Sequence, residues 1–169
     1  MGDYNKTLIF PIILVKLMFI SIIQGVEMAE IKRGKLRMTE GLQLVGASDT
    51  GHGIVIDQLP EVGGLNQGPQ PMELLLLALA SCTAMDVISI MKKKRQNMTG
   101  FEVEFEGERA EEHPKVYKWI KLKFIFRGKN LSSEAAERSI YLSQTKYCPI
   151  SAMLSRSVKI ETSYEIIEE

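Results

Sequence analysis

Apolar and polar positions along this chain change their spacing from segment to segment, and each spacing predicts an element. From Met72 the sequence reads MELLLLALASCTAMDVISI, apolar on every side at its start, and then turns basic at Lys92, Lys93, Lys94 and Arg95. That predicts one long helix from Pro71 to about Gln96, with proline suited to the first helical position and cations complementing the macrodipole at the end. A helix apolar all round is central to a fold or buried in a partner. Further on, FEVEFEGE (101–108) and VYKWIKLKFIFRGK (116–129) alternate with period two. Phe101, Val103 and Phe105 share one face in the first, and Ile120, Leu122, Phe124 and Phe126 in the second. Pairing them antiparallel through a turn at His113-Pro114 buries one face and leaves a Glu/Lys ladder on the other.

The remaining pattern is shorter in range. Between Ala29 and Leu59, short extended segments are punctuated by Gly34, Gly41 and the turn SDTGHG (48–53), with GIVID (53–57) a strand. A Gly/Pro loop, LPEVGGLNQGPQP (59–71), leads into the long helix. SSEAAERSIYLSQTKY (132–147) predicts a second helix, with Ser132 as N-cap, Glu134 in the first turn, and Ala136, Ile140, Ser143 and Tyr147 as its inner stripe. Pro149 breaks it and starts a short new helix, and VKIETSYEII (158–167) is a final strand. Like elements in runs, rather than strict alternation, predict an α+β fold with an antiparallel sheet around a long central helix.

Charge and composition narrow the function classes. The chain has 169 residues, with 45% hydrophobic and 25% charged, and 21 basic residues balance 21 acidic ones. Net neutrality supplies no field for nucleic acid. Two cysteines in a chain of this length are no disulfide scaffold. His52 and His113 lack acidic or thiol neighbours at ligand spacing, so no metal motif is read; a site combining Cys82, Cys148 and a histidine ranks last among the readings. Residues 1–27 stand apart. LIFPIILVKLMFISII (8–23) is apolar but short for a spanning helix, with Lys16 at its centre, and no small-residue cleavage site comes after it. It reads either as a membrane or partner tether or as a non-native leader before an internal start at Met28. Membrane contact is expected only in the first case. Residues 28–169 read as one domain, and the expected location is cytoplasmic.

Cys82 lies mid-helix and shares a face with Leu75, Ala78, Leu79, Met85, Asp86 and Ser89. Position alone leaves it open between an inert core filler and a reactive thiol. Cys148 opens CPIS, where free backbone N–H groups stabilise a thiolate. The two meet only if the fold brings them together.

PMELLLLALASCTAMDVISI, with YCPIS far downstream of it, resembles the OsmC/Ohr superfamily of thiol-dependent hydroperoxide-reducing proteins, over about residues 29–167. The resemblance implies an OsmC-like fold assembled as an intertwined homodimer, with the long helices central and each pocket drawing on both chains. It implies that Cys82 attacks an organic hydroperoxide and becomes a sulfenic acid, and that Cys148 condenses with it to a disulfide. An external dithiol, often lipoyl-linked, restores both thiols, and no bound cofactor is implied. Met72, Leu75, Leu79 and Met85 are candidates for an apolar pocket wall suited to a bulky hydroperoxide.

The activating residues of that family are not matched. A glutamate ten residues before the cysteine is replaced by Met72, and Glu73 points about 180° away from Cys82 on an ideal helix. The matched arginine position holds Asp57. Glu73, Asp86 and Arg37 are therefore candidates for support, with Arg33 beside Arg37; Asp86, one turn past Cys82, raises a thiol pKa when ionised. This pattern resembles the less characterised OsmC-like branch, and the alternative function is a redox-responsive or small-molecule-binding dimer without useful turnover.

Overall fold

The structure, a computed structural model, describes residues 30–169. The expectations for residues 1–27 lie outside the described residues. Strands β1 (Gly34–Met38), β2 (Leu44–Ser48) and β3 (Gly53–Ile56) form an antiparallel meander. A loop containing one short 3-10 turn then leads to helix α1 (Pro71–Lys93), which ends three residues earlier than its basic tail suggests. Strands β4 (Met98–Arg109) and β5 (Tyr117–Gly128) come next, then α2 (Ser133–Leu142), a π-turn (Ser143–Tyr147), α3 (Pro149–Leu154) and β6 (Lys159–Glu168).

The second sheet has the order β4-β5-β6. β4 and β5 pair antiparallel, as their short connecting turn at His113-Pro114 predicts, with Glu104 opposite Lys123 and Glu106 opposite Lys121. Lys121 Nζ lies 3.1 Å from Glu106, and Lys123 Nζ lies 2.7 Å from Glu165 on β6. These pairs are exposed and order the solvated face more than they stabilise it. The expected all-antiparallel sheet is corrected at β6, which runs parallel to β5. The physical reason is the connection: α2 and α3 form a helical crossover that returns the chain in the same direction.

The core lies between this sheet and the helices. Ile120, Leu122, Phe124 and Phe126 of β5 are buried, and Phe101 of β4 packs on Phe126 edge-to-face at a centroid distance of 5.1 Å. Facing them, α1 buries Leu76, Leu79, Ala80, Thr83, Val87 and Met91, the three- and four-residue spacing of one helix stripe. The all-round apolar helix is thus covered on one stripe within its own chain, while Leu77 and Met85 remain exposed. By length and composition α1 is apolar enough to cross a bilayer, but here it packs on β4, α2 and α3 as a core helix. Of the expected inner stripe of α2, Ala136, Ile140 and Ser143 are buried; Tyr147, at the end of the π-turn, is 48% exposed. Ser132 caps α2 by accepting the Ala135 N–H.

The β1–β3 meander packs chiefly on itself. Leu36, Met38, Val45, Ile54 and Val55 are exposed on it.

Candidate functional site

Two cysteines far apart in sequence meet beside the core. Cys82 sits midway along α1, half-buried. Cys148 is the N-cap of α3 and is 2% exposed. Their Sγ atoms are 2.8 Å apart, and both are free thiols. A disulfide needs about 2.05 Å, so closure takes a small side-chain movement.

The approach of Cys148 depends on the π-turn before it. The Cys148 N–H donates to the Ser143 carbonyl at 2.9 Å, five residues back. Pro149 then fixes the first residue of α3. The Ser151 N–H donates to Cys148 Sγ at 3.3 Å, as expected for a sulfur at a helix start.

Asp86 is the third member. It stands one turn beyond Cys82, and one of its oxygens lies within 4.8 Å of both sulfurs. The Ser143 hydroxyl donates to Asp86 Oδ2 at 3.0 Å and orients the carboxylate. Among the described residues, Asp86 forms no ion pair with a lysine, arginine or histidine. The Cys82 thiol is pushed up from 9.0 to about 11. Desolvation is the largest cause, then the hydrogen bond with Cys148; the Asp86 charge adds to both, and the Ile150 backbone opposes them.

The other candidate residues lie elsewhere. Glu73 Oε2 accepts the Gln70 N–H at 2.8 Å at the start of α1, which employs it as a helix cap and not at the sulfurs. Arg37 is on exposed β1, opposite Val45 of β2. Arg33 donates its backbone N–H to Asp49. Of the proposed pocket wall, Leu79 is fully buried in the core and Met85 is 71% exposed, so one chain does not assemble these four side chains into a cavity. Met72 and Leu75 pack at the edge of the core, and the Met72 carbonyl accepts the Tyr117 hydroxyl. His52 bonds Thr50 in the β2–β3 turn, and His113 sits in the β4–β5 turn, both away from the sulfurs.

Asp57, at the matched arginine position, ties the loop before α1. Its buried carboxylate accepts N–H groups from Gln58, Leu65 and Gln67 and the Gln43 side-chain amide. Burial pushes its pKa upward, and these four donors outweigh burial and hold it at about 2. Sequence reading misses Ser143 and Ser151 as supports of the site. The signal for them is the five-residue step from Ser143 to Cys148 and the Cys-x-x-Ser start of α3.

The sequence and fold match known proteins. Residues 64–163 match the sequence profile of OsmC-like proteins. Protein YhfA of Escherichia coli (strain K12) is 38% identical over 135 residues, which covers 80% of this chain and 98% of YhfA. A crystal structure of a hypothetical protein from Aquifex aeolicus VF5 superposes with a TM-score of 0.73 at 33% identity, covering 83% of this chain and 98% of that one. The organic hydroperoxide resistance protein OsmC of Legionella pneumophila shares the fold at 15% identity, with a TM-score of 0.63 over 82% of this chain and 99% of that one. With its profile, its relatives and its fold in agreement, the chain belongs to the OsmC-like family.

Proposed function

We propose that this protein is a two-cysteine thiol reductase of organic hydroperoxides. The observation that carries the reading is the 2.8 Å separation of Cys82 and Cys148. In the first step the Cys82 thiolate attacks the distal peroxide oxygen, the O–O bond breaks, and the alkoxide takes a proton to leave as the alcohol. Cys82 becomes a sulfenic acid. The Cys148 sulfur then displaces hydroxide from it, which leaves as water, and the disulfide forms. A dithiol of the lipoyl class reduces that disulfide and is itself oxidised. Structures of proteins named for organic hydroperoxide resistance support the substrate class; oxidative-stress defence as the role and the cytoplasm, a reducing compartment, as the setting complete the proposal.

A homodimer belongs to the same proposal. The exposed apolar side chains of β1–β3 and of α1 (Leu36, Met38, Leu77, Met85) are surfaces a second copy covers. The test is consumption of cumene hydroperoxide with dihydrolipoamide, comparing wild type with Cys82→Ser. Wild-type turnover and its loss in the variant are expected; equal rates refute the reading.

One observation favours a second reading. Cys82 holds its proton up to about 11, with the Asp86 carboxylate beside it and, among the described residues, no cation contributing to the shift. That suits a pair that closes and opens as a redox-responsive switch without rapid turnover. Stoichiometric disulfide formation with a negligible catalytic rate is its signature.

A further inference from the structure

We propose that Cys82, Asp86 and Cys148 form a binding site for a thiophilic divalent cation of the Zn²⁺ class, held by two thiolates and one carboxylate with a fourth position open. The proposal uses the same sulfurs as the redox function but requires no redox step, so either stands without the other.

Geometry is the first support. Cys82 and Asp86 are four residues apart on one helix, the spacing that puts two ligands on one face. Cys148 approaches them from the start of α3. The three ligating atoms lie within 4.8 Å of one another. Tetrahedral zinc, with bonds of about 2.3 Å to sulfur and about 2.1 Å to oxygen, asks for separations of roughly 3.6–3.8 Å. The sulfurs at 2.8 Å need to open by only about 1 Å to meet this, within reach of a side-chain adjustment.

The surroundings are the second support. Metal ligands are held by outer hydrogen bonds, and two are in place: the Ser143 hydroxyl on Asp86 and the Ser151 N–H on Cys148. The Gln144 side chain in turn accepts the Ser151 hydroxyl at 3.1 Å.

Charge is the third. A carboxylate and two thiols are gathered with no cationic side chain paired to Asp86 among the described residues. The Asp86 carboxylate beside two sulfurs attracts a cation, and a bound cation stabilises both thiolates. Binding one Zn²⁺ displaces one proton from each cysteine, moves no electrons and leaves the three-ligand set with net charge −1. Two sulfurs favour zinc or cadmium over magnesium or calcium, whose ligands are oxygens. Disulfide closure consumes both thiolates, so oxidation expels the cation and a bound cation protects the pair. The last-ranked sequence reading, Cys82 and Cys148 with a histidine, is replaced here by Asp86 in place of the histidine.

The experiment uses the full chain, tag-free and reduced, with Zn²⁺ titrated in competition with a chromophoric chelator and Co²⁺ as spectroscopic probe. One Zn²⁺ per chain, about two protons released on binding at neutral pH, and a near-ultraviolet sulfur-to-cobalt band are expected. Asp86→Asn weakens zinc binding by at least on the order of tenfold, and Ser143→Ala by about tenfold, with circular dichroism confirming the fold. The absence of the cobalt band in the wild-type protein overturns the proposal. So does Asp86→Asn binding as tightly as wild type, or a Cys82→Ser/Cys148→Ser double variant doing so. Thiol counting after mild oxidation in excess chelator tests the redox function separately. A protein that forms the disulfide but holds no zinc retains that function and loses this site.

Discussion

If Cys82 titrates as the structure implies, its reactivity is set more by its proton than by its exposure. At pH 8 a thiol at 9.0 is about 9% thiolate, whereas one at about 11 is about 0.1%, roughly ninety-fold less. A more basic thiolate is also the stronger nucleophile. With a Brønsted coefficient of about 0.45, a rise of about two pKa units returns roughly eightfold. The net expectation is alkylation of Cys82 about tenfold slower than an ordinary thiol at pH 8. The assay is timed iodoacetamide labelling of the reduced protein across pH 7 to pH 11, with the Cys82 peptide quantified by mass spectrometry. The rate should climb about tenfold per pH unit and bend only near pH 11. Cys148→Ser removes the second-largest cause of the shift, so Cys82 labelling at pH 8 should quicken in that variant. A plateau at or below pH 9.5 in wild type refutes the reasoning. The same shift has a stability sign: a folded-state pKa raised from 9.0 to about 11 favours the folded protein below pH 9, and that contribution is lost as pH rises through 11.

Two further predictions concern residues whose roles the structure changes. Asp57→Asn removes acceptor capacity from four donors and should lower the urea midpoint. Because the wild-type carboxyl is depressed from 3.8 to about 2, the stability it contributes is present above pH 3.8 and lost as pH falls through 2, and the variant should lack that acid slope in urea titrations. Glu73→Ala should lower stability by about 0.5–1 kcal/mol through the lost helix cap, measured by urea denaturation. It should leave Cys82 labelling unchanged; a changed labelling rate would instead place Glu73 at the sulfurs.

The parts legible in sequence are those with a period. The alternation from Ile120 to Phe126 picks out the buried face of β5; on β4 Phe101 and Val103 pack against the core, but Phe105, on the same face by alternation, is 36% exposed. The apolar run of α1 predicts a core helix, but not which stripe its own chain covers, because every side is apolar. Strand direction has no signature in alternation, so the parallel pairing of β6 is visible only in the path of the crossover. The order of Cys82 and Cys148 points to a pair, while their contact is a tertiary fact. In sequence Asp86 is a destabilising neighbour of one thiol; its place beside both sulfurs depends on Ser143, from a different helix. Asp57 stands at the arginine position because the loop folds its own amides around a carboxylate, a local arrangement that pattern reading does not resolve.

The π-turn at Ser143–Tyr147 has an evolutionary consequence. One surplus residue per turn is what carries Cys148 round to Cys82 while leaving the Ser143 hydroxyl on Asp86. Deleting a single residue there and restoring α-helical winding would rotate Cys148 and α3 by about 100°. Both cysteines would survive in the sequence, yet the pair would be gone. A lineage can therefore discard or regain this chemistry by an indel of one codon, and a cysteine count across relatives would not register the change.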